Sequence, residues 1–183
     1  MGNVNNVSAA KPNVSGAIFR APLATTLPTT ASETLDAAFK DLGFIGEDGV
    51  TNNNTATTSD IKAWGGQTVL NLQTDKPDTF KFRLIEYVNP EVLKTIYGDD
   101  NVSGTLAAGI AVVANSDEQE NKVWVIDSIL KGGVLDRIVI PQGVVSEVGE
   151  IQRYDGGEVG CDITIKALPD ATGNTHYEYI KTA

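Results

Sequence analysis

Apolar and polar side chains alternate through most of the chain, the period of β-strands. In 78–87 (DTFKFRLIEY), Phe80, Phe82 and Leu84 fall on one face and Lys81 and Arg83 on the other, which marks a half-solvated strand. In 158–168 (EVGCDITIKAL), Val159, Cys161, Ile163 and Ile165 face one way, and Gly160, Asp162, Thr164 and Lys166 the other. Further strands are predicted over 60–64, 67–73, 105–114, 122–131, 133–140, 143–154 and 174–181. Turn residues separate them at Gly65-Gly66, Asp75–Pro77, Gly132-Gly133, Asp155–Gly157 and Pro169–Gly173. Connections this short favour antiparallel neighbours. Residues 17–28 (AIFRAPLATTLP), broken by Pro22 and Pro28, read as an edge strand or an extended segment.

Two stretches carry the helical period instead. Thr30 and Glu33 form a capping-box pattern, Leu35, Ala38, Phe39 and Leu42 follow at helical spacing, and Gly43 sits at the stop, so a helix is predicted over 31–42. Asn89 as N-cap, Pro90 at the first helical position and Glu91 in the first turn begin a second helix, which Gly98 ends. Its two turns need the packing of Val92, Leu93, Ile96 and Tyr97 to persist. Residues 1–16 and 46–60 (GEDGVTNNNTATTSD) show neither period. They read as a flexible arm and a long mobile loop. The expected architecture is mainly β: an antiparallel β-sandwich or barrel with one or two short flanking α-helices. It forms a single domain over 17–183 behind the 1–16 arm.

Composition narrows the function. The 183 residues are enough for a real core without metal or disulfide staples. With 14 Lys and Arg against 24 Asp and Glu, the net charge is -10, spread evenly, and no basic patch can grip phosphates. No run of ~18 apolar residues offers a transmembrane helix. The opening MGNVNNVSAAKPNVSGA has neither a basic n-region nor an apolar h-region, so no secretory signal and a reducing cytoplasm are expected. Cys161 and His176, each the only one of its kind, allow no intrachain disulfide and no Cys/His-rich zinc site. G-x-S-x-G, Gly-rich phosphate loops and HExxH are absent, so no enzyme, catalytic residue, cofactor or metal site is predicted. Glu47-Asp48, Asp99-Asp100 and Asp117-Glu118 with Glu120 fit no calcium loop and read as solvated turns. Cys161 and Trp124 read as core and His176 as a surface residue, while the burial of Trp64 is left open.

Four segments carry a family resemblance. LGFIGEDGV (42–50), SDIKAWGGQTVL (59–70), FKFRLIEYVNPEVLKTIYGDDNV (80–102) and VLDRIVIPQGVVSEVGEI (134–151) resemble the major tail proteins of long-tailed bacteriophages, the tail tube proteins of siphophages. The resemblance covers about residues 17–168 and is most specific in IKAWGG and in NPEVLK through YGDDNV. It implies hexameric rings that stack into a hollow tube, with the inner sheets of the subunits joined into one barrel. DNA would pass through the lumen without specific binding. The implied partners are further copies of the chain, a tape measure protein, the tail tip or baseplate, and a tail terminator, with no membrane involved. The implied place is the virion tail tube, after synthesis in the host bacterial cytoplasm.

The acidity then takes on a meaning: an acidic wall repels DNA where a basic one would hold it. Glu147, Glu150, Glu158 and Asp162 are the candidates for a lumen-facing surface. Lys81 and Arg83, with Asp48 and Asn53 in the 46–60 loop, are the candidates for contacts between subunits; the alternative for Lys81 and Arg83 is a lumen of mixed charge. The arm and loop would connect stacked rings and order on assembly. The competing class is a monomeric β-sandwich binding or decoration module.

Overall fold

In the computed structural model, which describes residues 2–13 and 16–182, every strand pairing among the described residues is antiparallel. The first strands are β1 (Ala10–Pro12), β2 (Ile18–Pro22), β3 (Lys40–Asp41), β4 (Ile45–Asn53), β5 (Thr57–Lys62), β6 (Thr68–Asp75) and β7 (Asp78–Leu84). One helix, α1 (Pro90–Tyr97), follows. Then come β8 (Val102–Thr105), β9 (Gly109–Val112), β10 (Lys122–Leu130), β11 (Val134–Val148), β12 (Cys161–Ala167) and β13 (Tyr177–Lys181). The main sheet runs β3-β2-β10-β11-β12-β7-β4, with β1 added on β10 and β13 on β11. β5–β6 and β8–β9 are separate two-stranded ribbons.

β11 joins the parts. Its first half pairs with β10 and β13, and its second half with β12. The sequence reads two strands, 133–140 and 143–154; the structure makes one, Val134–Val148. Pro141 has no N–H for the ladder, and a register shift opposite Val123 absorbs it, so pairing resumes at Gly143.

The core lies on both sides of β10, which explains its unbroken apolar run. Trp124 and Ile126 enter the main cluster with Phe80, Phe82, Ile163, Ile165 and Cys161. Val123 and Val125 face a second cluster with Ala21, Phe39 and Val139, edged by Leu27, Leu35 and Ala38. The alternation read in 78–87 and 158–168 is therefore the true burial pattern of β7 and β12.

The second predicted helix forms as read. The Asn89 side chain accepts from Glu91 N at 3.0 Å, and Gly98, at φ 98°, closes the end by donating to Lys94 O. Arg20 ties this helix to the sheet through Glu91 (3.0 Å) and Asp99 (2.7 Å), and Lys122 reaches Asp99 at 2.8 Å. Burial works against the charges of Glu91, Asp99 and Lys122, but their pairings prevail: the two carboxylates titrate below the usual carboxylate range and Lys122 above the usual amine range.

Three further expectations are corrected. No helix forms over 31–42. Glu33 does act as a cap, but for Thr29, whose N–H donates to it at 2.7 Å. The carbonyls of Thr30 and Glu33 accept from the Arg137 guanidinium at 3.2 and 2.7 Å, and a helix would need them for its own ladder. The helically spaced Leu35, Ala38 and Phe39 are covered all the same, in a turn-rich strap over the second cluster. The 46–60 segment is not a loop, since it supplies β4 and most of β5. Edge pairing with β7 and β6 draws its Thr and Asn residues into strands while leaving most of their side chains in water. Finally, 105–114 is a hairpin, β8–β9, that turns at Leu106–Ala108 with Ala108 N donating to Thr105 O.

The 1–16 arm is structured where described. Residues 4–6 form a 3₁₀ turn and β1 pairs with β10 through Ala10 and Leu130. Met1, Val14, Ser15 and Ala183 lie outside the described residues.

Candidate functional site

Two surfaces stand out. The first is the polar face of β7 and β12. Arg83 sits opposite Asp162 and donates to it at 3.3 Å, and its Nε reaches Glu158 at 3.2 Å. Lys81 approaches Asp162 at 3.7 Å. Glu147, one strand over, accepts from Thr164 at 3.3 Å. Glu150 is exposed just past the end of β11. Three of the predicted lumen carboxylates therefore share a solvated face with Lys81 and Arg83, whose charges are engaged within the chain. The face carries mixed charge rather than an acidic field, and Lys166 adds a further cation to it.

The second surface is the β5–β6 ribbon. The chain leaves the main sheet after Asn53 of β4, forms this two-stranded ribbon and returns at Asp78 of β7; among the described residues the ribbon pairs with no other strand. Ile61 sits opposite Leu70 and Ser59 opposite Leu72, so Ile61, Leu70 and Leu72 share one face. Asp60 and Asn71 share the other and bond at 2.7 Å. All three apolar residues are exposed, and Trp64, in the Gly65-Gly66 turn at the tip, is fully so. An isolated two-stranded ribbon is marginal in water, and an apolar face on it is costlier still.

Asp78 anchors the root of the ribbon. This carboxylate, 2 % exposed, accepts from Asn52 on β4 at 2.8 Å and from Thr175 at 2.6 Å, and it meets His176 Nδ1 at 2.6 Å. His176 also packs edge-on against Phe80, with ring centroids 5.3 Å apart. It is thus a partly buried tie for the C-terminal segment, not the surface residue that its neighbours suggested. Burial raises the Asp78 pKa, but the hydrogen bonds from Thr175, Asn52 and His176 outweigh that and hold it below the usual carboxylate range. A depressed folded-state pKa adds stability that is complete above the unfolded value of about 4 and is lost as pH falls through the folded value. Melting temperature should therefore drop on acidification below about pH 4. Asp78→Asn should melt lower at neutral pH and lose less on acidification. Equal acid slopes for the two proteins would refute this role.

The sequence matches the phage tail tube protein family over residues 3–183. The chain belongs to that family. It is a structural protein of the bacteriophage tail, with the virion as its place and self-assembly into a tube as its family's habit. Among solved structures, the cap that terminates the tube of the anti-feeding prophage aligns over 100% of both chains at 9% identity and a TM-score of 0.43. That similarity is too remote to carry an argument. Comparison with curated proteins gives no match.

The other residues singled out in this tail tube protein fall into place structurally. Asp48 is exposed on β4, inside the bulge between Ile45 and Val50 where the register with β7 shifts. Asn53 caps the turn out of β4, its Oδ1 accepting from the Thr55 hydroxyl at 2.7 Å, and so steers the chain into the ribbon. Cys161 is buried, and its thiol pKa is pushed up by that burial. Among the described residues, no group of three or more His, Cys, Asp or Glu is placed to hold a metal ion, and no helix is long and apolar enough to cross a membrane. Sequence reasoning missed the apolar face of the ribbon. Its signal is the alternation of Leu70 and Leu72 opposite Ile61, which reads as an ordinary half-buried strand.

Proposed function

We infer that the protein stacks as hexameric rings into the hollow tube of a phage tail, the conduit through which DNA reaches the host. The observation that carries this reading is the β5–β6 ribbon, whose apolar face stays exposed among the described residues. A further copy is the cover that a tube-forming family supplies. The sheet path also ends in two strands, β3 and β4, whose outer edges are unpaired, and a closed ring of copies removes such edges. Six copies to the ring follow the sequence resemblance, as do a tape measure protein, a tip or baseplate and a terminator as partners.

The shared face with Glu147, Glu158 and Asp162, together with Glu150, is the surface we assign to the lumen. Its carboxylates are offset by Lys81 and Arg83, so the wall holds few fixed positive charges free to capture phosphates. Asp48, on the bulged edge strand, is assigned to the contact between neighbours.

Negative-stain imaging of the purified protein, alone and seeded with tail tips, tests the reading: rings or tubes are expected. Amide exchange supplies the local check. Residues 57–75 should exchange fast in free subunits and become protected in tubes. A strict monomer at high concentration, unresponsive to tips, would instead mark a binding or decoration module.

A further inference from the structure

We propose that the ribbon seats its Trp64 tip in a specific apolar groove of the next copy, formed by Ile85, Val88, Pro90, Leu106 and Val159. This rests on the self-assembly reading and adds the receiving surface. The groove, of about 620 Å³, lies between the turn after β7, the start of α1 and the tip of the β8–β9 hairpin. Val88 and Leu106 are 59% and 66% exposed there, and no side chain of the same copy fills the space.

Ribbon and groove lie at opposite ends of one strand. The ribbon leaves the sheet just before Asp78, at one end of β7, and the groove begins just after Leu84, at the other. Those ends are roughly 20 Å apart at 3.3 Å per residue. Ribbon and groove do not meet within one copy, since Trp64, Leu72, Val88 and Leu106 all remain exposed. Each chain thus carries two unlike apolar surfaces near opposite ends of one strand. Surfaces of that kind join head to tail, and when the join is mainly a translation it does not close on itself but builds an open stack. A single exposed Trp on a turn, able to fill a concave apolar site, is the usual anatomy of an interface hot spot.

The experiment uses two full-length variants, Trp64→Ala and Leu106→Asp, both at exposed positions where the fold has little at stake. Circular dichroism should match wild type for each. Alone, each should assemble on the order of thirtyfold more weakly than wild type. Mixed after each has formed its rings, they should stack as ring pairs that grow no further: the intact ribbons of a Leu106→Asp ring fill the intact grooves of a Trp64→Ala ring, and neither free face of the pair keeps a productive stacking join. Light scattering and mass photometry read this directly. Wild-type tubes with normal assembly of either variant would overturn the seating and leave the tube reading standing. Weak stacking of Trp64→Ala with normal stacking of Leu106→Asp would overturn it in favour of a ribbon-to-ribbon contact, and variants that fail alone and also fail mixed would overturn the pairing of this tip with this groove. Wild-type chains that never assemble, even with tips, would overturn both readings.

Discussion

Replacing Arg137 with alanine is expected to lower the unfolding free energy by about 3–5 kcal/mol, the cost of stranding one partner of a buried ion pair. The side chains of Arg137 and Asp127 are 7% and 8% exposed, and their fork is bidentate, Nε to Oδ1 at 2.7 Å and Nη2 to Oδ2 at 2.8 Å. Alanine leaves the Asp127 charge buried without its counterion. It also releases the carbonyls of Thr30 and Glu33, which hold the 23–39 strap against the second apolar cluster. At about 2–4 °C per kcal/mol for a chain of this size, the melting temperature should fall by roughly 10 °C. The strap should then become the first site of proteolytic cleavage. Arg137→Lys separates the two effects: the cation survives, but one ammonium cannot reproduce the planar fork and reach both carbonyls as well. It should keep part of the stability and still expose the strap to protease. Arg137→Met combined with Asp127→Leu should recover much of the loss, because an apolar pair of similar volume removes the stranded charge. A loss under about 1 kcal/mol for Arg137→Ala would show that the pair contributes no more than a surface contact.

That ion pair also marks the limit of what the sequence can disclose. The strands β7, β10 and β12 are legible because their burial pattern is written residue by residue, Phe80-Lys81-Phe82-Arg83 in alternation and Val123 to Ile126 without a break. The helix at Asn89 is legible because its cap, its Pro and its closing Gly all act locally. The false helix at 31–42 carries equally good local signals. It is undone by a guanidinium more than a hundred residues away, an influence that no window of neighbouring residues contains. The 46–60 segment fails in the opposite sense: nothing local favours a strand, and the edge of β7 supplies the ladder that makes one.

The candidate surfaces divide in the same way. Period alone places Glu147, Glu158 and Asp162 on polar strand faces, and in the structure they share one. Their pairing with Lys81 and Arg83 depends on β12 lying beside β7, which chain order does not dictate. The ribbon shows its strands and its turn in the sequence but not its exposure. An alternating strand looks identical whether its apolar face meets its own core or a neighbour's groove.

Trp124 is the other residue whose loss should cost most. Its indole is 1% exposed and central to the main cluster, and Nε1 donates to the Gly143 carbonyl at 3.0 Å. Trp124→Ala should cost about 3–5 kcal/mol through the cavity alone. Trp124→Phe keeps most of the volume but removes the indole donor to the Gly143 carbonyl, at about 0.5–1.5 kcal/mol. The same contact explains the glycine. A Cβ at 143 would lie 2.8 Å from Ile165 Cγ2 and 2.9 Å from Trp124 Cδ1, so Gly143→Ala pushes the ring from its donor position and should cost about 1–3 kcal/mol. The two positions share one contact, so Trp124→Phe with Gly143→Ala should cost less than the two single losses together. Fluorescence makes the series readable, because the protein has two tryptophans in opposite settings. Trp124→Phe leaves only the fully exposed Trp64, whose emission should sit at the solvent maximum and hardly move on unfolding. Trp64→Phe leaves only the buried indole, whose emission should start blue and shift red as urea unfolds the chain. Additive losses at 124 and 143, or a blue starting emission in Trp124→Phe subunits kept unassembled, would contradict this arrangement.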